Sequence, residues 1–265
     1  MEAHNNMKKL INYLFYLSIL LSCVFIISKI ISFSHSLIIL DDYQLDAKIK
    51  SERMLEPVVK ITNMVQSDNS TSSSPDGPSI SAMSSATGFS IEYNPSTNRS
   101  IIITNDHFCN GISKNSILFF QNFQNIRVDM SMSGSHLRIL DTIPELDICF
   151  LESNGYVKPA IIEDYDYHAM TFEKVYIVGG PSGDFPIIID TYVSQHLPRK
   201  EVSLGSLSKT GNDFLLVSEQ IFPGQSGSPI YSEDGVVIGM IFGALQTYGG
   251  LGVSHRDIKD AFNSN

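Results

Sequence analysis

PGQSGSPIY, residues 223–231, places one serine between two glycines and then returns at once to apolar sequence. A hydroxyl on a glycine-flanked bend is open to an incoming molecule, and backbone N–H groups beside it can converge on a developing oxyanion. Gly224 can take a positive φ and turn its neighbours' amides inward, a conformation other residues adopt at a cost. The flanking runs 214–217, 230–231 and 236–241 are apolar and read as strands. Two readings follow. The segment is a Gly-Ser turn between strands, or it carries a nucleophile, Ser226, which needs a base and a carboxylate from elsewhere in the chain.

Among the seven histidines, His107 has the most informative setting. It follows the β-branched run SIIITN and opens a short turn-like segment, Asp106-His107-Phe108-Cys109. A base just after a strand is held rigidly yet can face a cleft. His136, His168, His196 and His255 lie in polar or strand-edge stretches without such a frame, and His4 and His35 belong to the N-terminal region. For the carboxylate, Asp147 leads directly into the apolar run Ile148-Cys149-Phe150-Leu151. A carboxylate there is costly unless paired, and an imidazole Nδ1–H would pair it. Asp129, Asp141, Asp164 and Asp166 compete, the last two within the polar stretch EDYDYH.

Working outward, short apolar or alternating runs recur at 88–93, 100–104, 117–120, 126–130, 137–140, 146–151, 174–178, 187–192, 214–218, 236–241 and 251–254. Turn signals such as Asn94-Pro95, Gly179-Gly180-Pro181 and Asp234-Gly235 separate them. Many short strands in about 180 residues predict packed barrels or a sandwich and not an α/β sheet. Only 256–262 looks helical, with Ile258 and Phe262 one turn apart.

The N-terminus has a different character. LINYLFYLSILLSCVFIIS, residues 10–28, carries no charge, follows Lys8 and Lys9, and is long enough to cross a bilayer as a helix. Lys29 can snorkel at the downstream edge. No A-x-A-like cleavage site follows, so the segment reads as an uncleaved signal anchor with the basic end inside and the rest of the chain on the far side. Leu20-Leu21-Ser22-Cys23 loosely resembles a lipoprotein cleavage site, but apolar sequence continues well past Cys23. Residues 41–66 read as a weakly amphipathic helical stalk broken at Pro57, and 67–85 as a Ser/Pro/Gly-rich linker. The expected layout is a basic tail (1–9), a transmembrane anchor (10–33), stalk and linker (34–85) and one β domain (86–265).

The formal net charge is −10, and residues 86–265 hold twenty of the acidic side chains against eleven basic ones. Such a surface excludes a phosphate-binding face and hence nucleic-acid partners. Three cysteines cannot build a disulfide scaffold, and no Cys/His spacing suits a metal. Two small buried thiols, Cys109 and Cys149, are the plain expectation in the domain.

The order His107, Asp147, Ser226, each in its local frame, resembles the trypsin-like serine proteases of the chymotrypsin fold. The likeness is greatest to the bacterial high-temperature-requirement type and its single-domain relatives. It rests on TGFSI (87–91), IIITNDH (101–107), ILDTIPELDICFL (139–151), VYIVGGPSG (175–183), PGQSGSPIY, GVVIGM (235–240) and GVS (252–254). It implies an all-β chain of two six-stranded antiparallel barrels with a short C-terminal helix, preceded here by the transmembrane helix.

The resemblance also implies peptide-bond hydrolysis through an acyl-enzyme, needing neither metal nor organic cofactor, with protein or peptide substrates. Ser226 attacks, His107 relays the proton, Asp147 orients His107, and the N–H groups of Gly224 and Ser226 form the oxyanion hole. By family position Gln220 lies near the base of the primary pocket and Phe242, Gly243 and Ala244 along one wall. No carboxylate stands at that base, which points to a small or medium apolar side chain and not to Arg or Lys.

Three departures stand out. Ser228 replaces a customary glycine. Gln225 replaces the aspartate that pairs with a trimmed N-terminus, so activation by trimming is not expected. Cys109 and Cys149 each lie two positions beyond a triad member, which leaves a bridge between them open. No peptide-binding module is expected after the terminal helix. The alternatives to an enzyme are a catalytically inactive module on the same fold and a surface protein that processes only itself. Oligomeric state is left open by the sequence.

Overall fold

The computed structural model describes residues 46–66, 80–113, 116–123, 138–204, 207–245 and 249–264. The expected anchor at 10–33, the strand at 126–130 and most of the linker lie outside the described residues. Among those described, no helix is long and apolar enough to cross a membrane.

Among the described residues, twelve strands fall into two groups of six. The first group is β1 (Val58–Gln66), β2 (Ile80–Asn94), β3 (Arg99–Thr104), β4 (Ser116–Asn122), β5 (Arg138–Ile143) and β6 (Ile148–Asn154). They form one antiparallel sheet in the order β4-β1-β2-β3-β6-β5. The second group is β7 (Lys174–Gly179), β8 (Ile187–Leu204), β9 (Leu207–Val217), β10 (Pro229–Tyr231), β11 (Val237–Leu245) and β12 (Gly249–Ser254). These close into a barrel in the order β10-β11-β12-β9-β8-β7. Of the two barrels expected from sequence, the second closes. The first is a six-stranded sheet, with no pairing between β4 and β5 among the described residues.

The apolar runs work because they are buried on both sides. Along β6, Ile148 and Phe150 enter one core cluster while Cys149 and Leu151 enter another. Neighbouring β3 does the same with Ile103 and Ile102. Period-2 alternation across two apolar faces produces an unbroken hydrophobic run, and each fully buried large side chain contributes about 1.5–3 kcal/mol.

The sequence expectation fails at 58–66. Val58, Ile61 and Val65 have helical spacing, yet the segment is β1, hydrogen-bonded to β2 on one side and β4 on the other. Val59 and Ile61, two residues apart, enter one core cluster and Val58 the other. Helical structure at 46–55 ends at the turn containing Pro57. The sheet therefore begins at Val58, upstream of residue 86, and β2 reaches back to Ile80 within the expected linker.

Besides the helical stretch at 46–55, two short α-helices occur among the described residues. α1 (Asp106–Cys109) follows β3, and α2 (His255–Asn263) follows β12 with the Ser254 side chain accepting from the Asp257 N–H. The connection after β6 runs from the first sheet to the barrel. Ala160 N–H donates to Ser90 O (2.8 Å), and Ile162 pairs in parallel with Val237.

Candidate active site

β3 ends at Thr104, and the chain turns at Asn105 into α1, so His107 is presented at the sheet's end. Its imidazole is about one-third open to solvent (36% exposed), whereas Asp147 is fully buried (0%). Asp147 closes the turn from Pro144 with φ +58, a conformation that Asp tolerates better than most residues. Its carbonyl holds α1 in place by accepting from Asp106 N–H (3.1 Å) and Asn105 Nδ2 (3.1 Å). Its carboxylate grips His107 twice: Oδ2 lies 2.6 Å from Nδ1, and Oδ1 accepts the backbone N–H at 2.9 Å. These contacts fix the ring's orientation and place the Nδ1 proton toward the carboxylate, leaving Nε2 to act as a base.

Ser226 comes from the opposite unit, on the bend between β9 and β10. Gly224 has φ +95 and Gly227 φ +84. A Cβ on Gly227 would lie 2.0 Å from Thr87 O, so only glycine fits where the bend presses on β2. The N–H groups of Gln225, Gly227 and Ser228 donate to Phe222 O, Ile241 O and Gln225 O. Those of Gly224 and Ser226 donate to no described backbone acceptor, so both amides are available to an anionic oxygen. No hydrogen bond links Ser226 to His107 among the described residues.

The two halves meet through Thr87, a fully buried residue to which the sequence assigned no role. Its N–H donates to Ser226 O (2.8 Å) and its Oγ1 to Gly224 O (2.8 Å). Thr87 Oγ1 accepts from Gly180 N–H (3.1 Å), and Thr87 O accepts from Thr104 Oγ1 (2.7 Å), three residues before His107. The serine bend is thereby tied to the strand that delivers the histidine. Ser182 N–H adds a bond to Pro223 O (2.8 Å), drawing the turn at Pro181–Gly183 onto the same bend.

Gln225 is fully buried and its Oε1 accepts from Phe222 N–H at 2.7 Å, so the bend is closed by a local bond. Cys109 and Cys149 form a disulfide, where two free thiols were the plain expectation. It clamps α1 to β6 two residues beyond His107 and Asp147, a proximity that linear spacing of 40 residues does not reveal. Of the expected pocket residues, Gln220 and Ala244 are exposed, Gly243 is half-buried at a β-bulge, and Phe242 is 3% exposed with its ring edge-on to Phe214 at 5.7 Å. The Phe242 ring faces the core, leaving its backbone to border any pocket.

A six-stranded sheet and a closed barrel, tied together where Thr87 bonds both the serine bend and the end of β3, make an all-β chymotrypsin-like fold. The profile of the trypsin-like peptidase domain matches residues 86–240, and the chain belongs to that family. The chain is 24% identical over 191 residues to the serine protease Do-like HtrA of Bacillus subtilis (strain 168), a match covering 71% of this chain and 40% of that protein. It thus spans well under two thirds of that relative's length.

Among solved structures, the Rv3671c protease from M. tuberculosis in its active form superposes with a TM-score of 0.59, at 17% identity over 83% of this chain and 85% of that one. An inactive serine-to-alanine mutant of the same protein gives 0.57, at 17% identity, over 83% and 91%. These two likenesses concern the fold.

Proposed function

We propose that this chain is a membrane-tethered serine endopeptidase. Ser226 Oγ attacks the peptide carbonyl while His107 Nε2 takes its proton, and His107 then passes that proton to the leaving amine. Water, deprotonated by the same nitrogen, hydrolyses the acyl-enzyme and restores Ser226. Asp147 holds the tautomer and stabilises the imidazolium, and the N–H groups of Gly224 and Ser226 receive the oxyanion. The observation that carries this reading is the double hold of Asp147 on His107, through Nδ1 at 2.6 Å and the backbone N–H at 2.9 Å. A turn between strands has no use for such an arrangement.

Gln220, Gly243, Ala244 and the Phe242 backbone border the primary pocket, which takes a small or medium apolar side chain of a protein substrate. Residues 10–33 hold the domain on the extracytoplasmic side of a membrane, a reading supported by the uncharged run behind Lys8 and Lys9. A reporter fused after residue 45 tests that placement, and a cytoplasmic signal overturns it.

The enzymatic reading is tested by labelling the full chain in detergent with a fluorophosphonate probe, beside Ser226→Ala. Cutting at residue 80 would remove β1, so the truncated domain is a poor substitute. Labelling that disappears in Ser226→Ala is the expected result. A folded chain that does not label at Ser226 is instead a non-catalytic module on this fold. Asp147→Asn, which leaves the shape but loses the tautomer control, should slow labelling on the order of 10⁴-fold.

A further inference from the structure

The β8–β9 hairpin extends from the barrel to the Pro144–Asp147 turn, where Thr210 N–H donates to Glu145 O at 2.9 Å. From this hairpin Lys209 sends its ammonium into the interior, its side chain 5% exposed. Nζ donates to Pro144 O at 2.6 Å and lies 3.3 Å from Asp147 Oδ1, the oxygen that also accepts the His107 backbone N–H. A buried ammonium is expensive to desolvate, and a buried cation beside a carboxylate changes the field felt by every group that carboxylate serves. We propose that Lys209 is a positioning residue for His107, acting through Asp147: it holds the orientation of the carboxylate that grips the imidazole and offsets part of its negative charge. This rests on the proposed roles of His107 and Asp147.

Other charged groups face the same spot. From α1, Asp106 is 3% exposed, with Oδ2 accepting from Asn110 Nδ2 (2.8 Å) and Oδ1 buried without a partner. Burial, and after it the Asp147 charge, push the Asp106 carboxyl up from its ordinary value, while the Lys209 charge pulls it down. Glu145 lies on the turn itself, exposed to solvent. From α2, the Asp257 carboxylate approaches Gly211, two residues along the hairpin, and accepts from Asp213 N–H at 3.1 Å. Asp106 is therefore the second buried carboxyl that Lys209 serves. Losing that lysine would push the Asp106 carboxyl further up, a response separate from any at His107.

The test runs in an Asp106→Asn background, which removes that separate response. His107 is titrated by NMR through its Hε1 resonance, assigned with His107→Gln, in the parent and in Lys209→Met, whose side chain matches lysine in length. The expected result is a His107 midpoint raised by about one pH unit in Lys209→Met, a tenfold gain in proton affinity. The acid limb of the pH profile for Ser226 labelling moves up by the same amount. An unchanged His107 midpoint in a folded Lys209→Met protein overturns the proposal. The NMR arm needs no activity, so failure of Ser226 to label in the parent counts against the protease reading alone. Should Lys209→Met fail to fold, Lys209→Met/Asp147→Asn decides. Recovery of a folded protein traces the defect to an unpaired Asp147, and no recovery overturns the pairing.

Discussion

Ser228 Oγ occupies the space above Gly179: a Cβ built on Gly179 would lie 2.0 Å from it. The two residues come from different strands of the barrel, β7 and the approach to β10, and both are buried. Ser228 thus fits because its neighbour has no side chain, and the serine bend keeps its glycine geometry at Gly224 and Gly227. Gly179→Ala should destabilise the protein by about 1–3 kcal/mol through overpacking. Ser228→Gly should recover part of that loss in the double variant, and a coupling of about 0.5–3 kcal/mol in thermal unfolding marks direct contact. Additive effects would show that the two side chains do not compete for one space. Ser228 Oγ is buried without a hydrogen-bond partner, so Ser228→Ala alone should be neutral or stabilising.

The strands that frame His107, Asp147 and Ser226 were legible because each is a buried, β-branched or aromatic run set off by turn residues. The runs expected at 100–104, 146–151 and 236–241 start within two residues of β3, β6 and β11, although β6 and β11 continue three and four residues further. What stayed hidden depends on contacts between distant segments. Lys209 lies in KEVSLGSLSKTGND, a polar stretch that reads as surface, and becomes a buried ion-pair partner only because the hairpin folds onto Pro144–Asp147. Thr87 resembles any strand threonine until the bend at Ser226 docks on it. β1 was misread because Val58, Ile61 and Val65 satisfy a helical period, while the sheet buries Val58 on one face and Val59 and Ile61 on the other.

The Cys109–Cys149 bridge closes a separation of 40 residues between the elements that carry His107 and Asp147. Replacing both cysteines by serine should cost about 2–4 kcal/mol, read as a lower unfolding midpoint in denaturant. It should also slow Ser226 labelling, since α1 would be held to β6 by hydrogen bonds alone. A variant as stable as the parent would mean that the bridge constrains nothing beyond what the single core cluster holding both cysteines already fixes.

His255 introduces a pH dependence separate from catalysis. The ring is buried, with Nε2 2.8 Å from Asp164 O and Nδ1 3.3 Å from Ile238 O. A neutral imidazole donates to one of these carbonyls, and the shorter contact favours Nε2–H to Asp164 O. Burial, as the largest influence, pushes the His255 pKa below its ordinary 6.5, and Arg256 and Lys259 push the same way. The unfolded chain therefore binds a proton near pH 6.5 while the folded chain still resists one. Stability is full above pH 6.5 and declines as pH falls from there toward the lowered folded value. Melting temperature measured from pH 7.5 down to pH 5.5 should fall, and His255→Gln should flatten that slope. An equally steep slope in the variant would place the sensitivity on another group.

Thr87 offers the sharpest test of how the serine bend is held. Its Oγ1 donates to Gly224 O at 2.8 Å and accepts from Gly180 N–H at 3.1 Å, so one hydroxyl spans the bend and the turn that braces it. Thr87→Val keeps the shape and the backbone bond to Ser226 O, but leaves a half-buried carbonyl and a buried N–H without that partner. The stability cost is about 1–3 kcal/mol. The functional cost falls on Gly224, whose free N–H depends on the orientation of the peptide that its neighbours fix. Losing one oxyanion donor typically slows such chemistry by about 10²–10³-fold. Thr87→Val should therefore slow fluorophosphonate labelling of Ser226 well beyond what its loss of stability explains, at a temperature where the protein is fully folded. Thr87→Ser, which keeps the hydroxyl, should label at close to the parental rate. Equal labelling by Thr87→Val and the parent would show that the bend holds its two free amides without help from β2.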